Sequence, residues 1–158
     1  MNVRVPRTRG ADRHLASAFL RNARGFHTAS VAAHDNNGHR SGHFLAIAVE
    51  LALKTYLLHR GISDEWNRVH VRHDLVKAVR CARRAGLTSI PVGLMKIAER
   101  LGPPYQSGAF STTSADYVGP EDWDDFAATT RALIVTVEAA IRRDTPIGPD
   151  GGAGEGGS

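Results

Sequence analysis

Three features of the sequence predict an all-α fold, an antiparallel bundle of about five helices. Trp123, Phe126, Thr130, Leu133, Ile134, Val137 and Ile141 recur at helical spacing. The run from Phe44 to Leu58 is apolar nearly all round and too long for a strand, and no segment alternates polar with apolar residues as a half-buried strand would. With 158 residues, 42% hydrophobic and 23% charged, the chain suits one domain with a modest core. We divide it into a basic flexible lead-in over 1–11, a bundle over 12–143, and a Gly-rich tail over 144–158 whose composition cannot bury a core.

The first helix is expected to begin at Asp12, a capping residue, and to turn Leu15, Phe19, Ala23 and Phe26 towards the core. The density of Arg in the first thirty residues, against Asp12 as the one acid, also fits an organellar presequence, but the bundle needs this helix. The string from His34 to Gly42 reads as a loop, after which Ser41 can cap a second helix that runs to about Arg60 and stops at Gly61. That helix is greasy enough to lie at the centre. Residues 61 to 72 read as a polar connection. A third helix is predicted over His73 to Ala85, with Leu75, Ala78, Val79, Ala82 and Ala85 inward and Gly86 closing it. A fourth, starting at Ser89 and Pro91, should end after Leu101 because Gly102-Pro103-Pro104 follows. A long loop then reaches Gly119. The last helix opens at Pro120 with Glu121, Asp122, Asp124 and Asp125 and closes with Arg142 and Arg143, charges that oppose the helix dipole at both ends.

The formal charge of +4 and pI of about 9.7 are compatible with a polyanionic partner such as RNA or a nucleotide. Cys81, the one cysteine, cannot close an internal disulfide, and there is neither an 18-residue apolar run nor a signal-peptide core. A cytoplasmic protein with no membrane partner is the expectation. His34, His39 and His43 lack a carboxylate or thiolate at ligand spacing and read as solvated loop residues, so no metal or cofactor is expected. Cys81 shares a helical phase with Ala78, Ala82 and Ala85, which makes it a small core residue.

Two charge patterns carry chemistry. Glu50 and Lys54 stand one turn apart in the second helix, in the favourable order, on a row with His43, Ile47 and Leu57. They read either as an ion pair on a narrow solvated strip, the reading we adopt, or as a polar floor beneath a cleft. In the third helix His73, Lys77, Arg80 and Arg84 share one side, with Arg83 widening the band. Such a stripe can track phosphates without reading sequence. An ordinary solvated face, with Arg83 and Arg84 favouring the C-terminal dipole, is the alternative.

The segment Gly42-His-Phe-Leu-Ala-Ile-Ala-Val-Glu-Leu-Ala-Leu-Lys-Thr-Tyr-Leu-Leu-His-Arg-Gly61, followed by Arg72-His-Asp-Leu75 and the run from Ala78 to Leu87, resembles the HEPN superfamily of small bacterial helical-bundle proteins. In helix order the resemblance extends from Asp12 to about Ile141, and residues 42 to 87 carry it. It implies a four- or five-helix bundle, a homodimer, and association with RNA or nucleotides. Many members are metal-independent ribonucleases of toxin-antitoxin or defence systems; others have lost activity and bind partner proteins. The family's catalytic signature is an Arg, four to six residues and a His, usually near the start of a late helix. Here that spacing is met by Arg68 and His73, as well as by Arg21 with His27 and by Arg7 or Arg9 with His14. The last helix contains no His. The resemblance thus implies Arg68 and His73 as catalytic residues, Arg68 stabilising phosphoryl charge and His73 moving a proton. Lys77, Arg80 and Arg84 would guide phosphates.

Overall fold

The computed structural model describes residues 12–36, 40–108 and 118–144. Among them there is no strand. The helices are α1 (Arg13–Asp35), α2 (Ser41–His59), α3 (Asp64–Trp66), α4 (Leu75–Ala85), α5 (Leu94–Ser107) and α6 (Pro120–Asp144). The proposed lead-in, the tail from Thr145 onward and the middle of the loop before Gly119 lie outside the described residues.

α2 is the axis of the bundle, packed against α1 most extensively and also against α4, α5 and α6. Its sequence dictates this, because Leu45, Ala46, Ala48, Leu53 and Leu58 point to every side and only burial on every side removes them from water. Each of these leucines contributes roughly 1.5–3 kcal/mol when fully buried. By length and hydropathy α2 would suffice to cross a membrane, yet 78% of that stretch is buried within the bundle, the position of a core helix.

Local chemistry sets most boundaries. The Asp12 carboxylate accepts from Leu15 N–H at 3.0 Å and opens α1 as expected. Gly61 and Gly86 take positive φ of 82° and 114° after α2 and α4, conformations that cost Gly little. α6 follows its predicted span with Trp123, Phe126, Leu133, Ile134 and Val137 buried.

Four expectations need correction. Ser41 does not cap α2: it is the first helical residue and wholly buried, and Arg40 precedes it without a side-chain cap. His73 lies outside the third helix, which starts at Leu75 because the Asp74 carboxylate accepts from Lys77 N–H at 3.0 Å. The connection over 61–72 is itself helical. Ser63 caps α3, accepting from Trp66 N–H, and the chain continues through a π-helical turn over Asn67–Val71 that closes with Arg72 N–H donating to the Asn67 carbonyl at 2.8 Å. Finally, α5 neither starts at Ser89 and Pro91 nor stops at Gly102: it begins at Leu94, after Gly93, and runs through Pro103 and Pro104 to Ser107, where Gly108 closes it with φ of 74°. In a regular helix the missing proline N–H groups would serve the carbonyls of Glu99 and Arg100, and both residues are exposed to water. Leu101 and Gly102 are buried, with Gly102 against Leu75, so core packing outweighs local propensity.

Candidate functional site

The added turn of α5 brings Tyr105 to Glu50. Glu50 and Lys54, on one row of α2, are both buried, with side chains 8% and 7% exposed. The solvated-strip reading is therefore wrong: α4 and α5 cover the row, and the pair is enclosed between helices. Burying two charges costs several kcal/mol per ion unless each is paired and hydrogen-bonded. Both conditions hold for Glu50. Its Oε1 accepts from Lys54 Nζ at 2.6 Å, while Oε2 receives the Tyr105 hydroxyl and lies 3.0 Å from His73 Nδ1.

Tyr105 holds the cluster together. Burial, the neighbouring Glu50 charge and the hydrogen bond to it all raise its phenol well above the usual tyrosine range, so the hydroxyl stays a donor. Its ring packs 4.9 Å from the His73 imidazole and meets His43 edge-on at 5.8 Å. An ionised carboxylate can only accept, which makes His73 Nδ1 the donor; in the neutral tautomer this contact selects, the lone pair is on Nε2. Because the His73 side chain is 57% exposed, this imidazole is fixed at one end and open to solvent at the other.

The remaining predicted residues fall around it. Lys77 is half-buried, Arg80 and Arg84 are exposed on the same side of α4, and none of the three forms an ion pair among the described residues. Arg68 is exposed on the π turn, and its side chain joins neither a hydrogen bond nor an ion pair among the described residues. The structure thus ties His73 to Glu50 and Lys54 but leaves Arg68 outside that network. Of the other matches to the Arg-to-His spacing, His27 Nε2 is occupied by the Ala127 carbonyl at 2.9 Å, His14 is exposed, and Arg7 and Arg9 lie outside the described residues.

His34 and His43 are not the solvated loop residues their sequence suggests. α1 extends to Asp35, and His34 stacks on Trp123 with centroids 4.1 Å apart and planes 9° from parallel, while half-buried His43 faces Tyr105. His39 lies outside the described residues. Among the described residues no group of three His, Cys, Asp or Glu is placed to hold a metal ion. Burial raises the Cys81 thiol against the lowering influence of Lys77 and Arg84, so it remains an unreactive core group.

A concavity of about 660 Å³ lies between α1 and α6, bordered by Arg24, His27, Val31, Arg131, Val135 and Glu138. The Arg24 guanidinium, 2.5 Å from Glu138, holds that carboxyl below its usual range. Its helices are not those that build the Glu50 cluster. Sequence reasoning missed Tyr105, because Gly-Pro-Pro reads locally as a helix stop and nothing within a turn of Tyr105 indicates an acid 55 residues earlier. We find no family model, no curated protein and no solved structure that matches this chain.

Proposed function

We propose that the chain is a HEPN-like RNA-associated bundle in which His73 performs metal-independent cleavage of single-stranded RNA. The observation that carries this reading is the His73–Glu50 contact, which holds Nδ1 of a solvent-exposed ring just before α4, whose Lys77, Arg80 and Arg84 form no ion pair among the described residues. In that role Nε2 takes the proton from a ribose 2′-hydroxyl and the 2′-oxygen attacks the adjacent phosphorus. The bond to the 5′-oxygen breaks, that oxygen takes a proton from water, and Nε2 releases its own proton to solvent. An imidazole oriented by a carboxylate, with its lone pair on Nε2, suits the first of these transfers. Lys77, Arg80 and Arg84 would supply salt-dependent attraction for the phosphates, and Arg68 would approach the phosphoryl oxygens from the π turn. Purified protein should cleave single-stranded RNA in EDTA, and His73→Ala should slow it by roughly 100- to 10,000-fold. Equal rates in both proteins would remove His73 from the role.

One observation favours a second reading, a catalytically inactive interaction module that dimerises and binds a partner protein. Arg68 stands apart from the Glu50 network. Under this reading His73 only helps satisfy a buried carboxylate. No turnover by the wild type, together with a stable complex carrying a partner protein from native lysate, would favour it.

A further inference from the structure

The π turn carries a feature that the cleavage reading does not use. Trp66 is half-buried with its indole against the core, and His70 lies over it with ring centroids 4.7 Å apart and planes 32° from parallel. His70 itself is exposed, so the outer side of this two-ring pile faces solvent. The turn is held in an uncommon backbone: its closing hydrogen bond spans five residues, and Arg72 adopts a positive φ of 52° with ψ of −125°. A non-glycine residue in that region costs on the order of 1–3 kcal/mol and persists only where surrounding structure enforces it. Single π turns are themselves frequent at functional sites.

We infer that the Trp66–His70 pile is a stacking platform for one unpaired nucleobase of the RNA that the α4 cations hold by its phosphates. The inference rests on the RNA reading given above. The aromatic surface argues for a base at this spot, since Asp64 and Glu65 offset Arg68 and Arg72 and leave the turn without net attraction for a further phosphate. An aromatic face tolerates any base, because every base has a π surface. Reach is adequate too. His70 and His73 are three residues apart, so their Cα atoms are at most about 11 Å from each other. A base on His70 and a phosphate near His73 then belong to neighbouring nucleotides. Trp66 is anchored by the core and the tilted His70 ring already packs against it, so little ordering remains to be done when a base arrives.

The test compares two six-nucleotide strands with 2′-O-methyl riboses to prevent cleavage, one a uridine strand and one abasic with the same phosphates. Binding is read by fluorescence anisotropy with the full chain in EDTA at low salt. The wild type should bind the uridine strand about tenfold more tightly than the abasic one. His70→Ala should erase most of that preference and leave abasic binding unchanged, and His70→Tyr, which keeps a ring but not an imidazole, should restore it. A circular-dichroism melt confirms that both variants fold. Equal wild-type affinity for the two strands, or a preference untouched by His70→Ala, overturns the platform while RNA association stands. Failure to bind either strand overturns both readings.

Discussion

Two glutamates in this molecule share one sequence relation and differ in everything that follows from it. Glu50 stands four residues before Lys54 in α2, and Glu138 stands four residues before Arg142 in α6. Each is also met from elsewhere in the fold, Glu50 by His73 and Tyr105 and Glu138 by Arg24. α2 is enclosed on every side, and the Glu50 pair sits in a medium of low polarizability where an unmatched charge is severely penalised. At Glu138 the Arg24 and Arg142 side chains are 48% and 77% exposed, and water competes for both. Spacing alone does not set the strength of an ion pair. The surroundings do.

The sharpest way to break this comparison is to remove Glu50. Glu50→Ala leaves Lys54 as a buried charge without its partner and deprives Tyr105 and His73 of their acceptor, so urea unfolding should show a loss of about 3–5 kcal/mol. Replacing Glu50 and Lys54 together with Met should recover most of it, because both charges leave at once. A double variant as unstable as the single one would show that the cluster stabilises through more than charge matching.

Next in size is Tyr105→Phe, which deletes one hydrogen bond to a charged group and should cost about 1.5–3 kcal/mol at neutral pH. The pH dependence has a definite sign. Because the folded phenol titrates above the unfolded one, this group's contribution is complete below about pH 10, the ordinary tyrosine value, and is lost as pH rises further. Wild-type stability should therefore fall above pH 10 more steeply than that of Tyr105→Phe, as read from thermal melts across the alkaline range.

The smallest effect belongs to Glu138→Gln, at about 0.2–1 kcal/mol, diminished by salt. The folded carboxyl titrates below the unfolded one, so its contribution is present above the unfolded carboxylate value, about 4.3, and disappears as pH falls through the folded one. Melts of the two proteins should converge in acid. A cost as large as that of Glu50→Ala would erase the distinction between the two pairs.

Legibility in the sequence followed the range of the interactions. The Asp12 cap, the Gly86 stop, the α6 stripe and the enclosure of α2 were all readable, because each is specified by residues within a few turns or by apolarity on every face. His73 was legible as a candidate through its spacing from Arg68, although its place outside α4 was not, since Asp74 offers the better cap. The helix over 64–71 was hidden because a polar segment with two acids and two basic residues shows no apolar period, and its anchor is Trp66 on a distant core.

By itself the sequence determined that this chain is a helical bundle around one apolar rod, since propensity, capping and hydrophobic period act locally and agree with one another. Only the tertiary structure decided that Glu50 would be enclosed and that α5 would continue through two prolines to deliver Tyr105. Those outcomes arise between residues 55 positions apart, where packing and charge neutralisation in a dry interior outweigh the few kcal/mol of local preference against them.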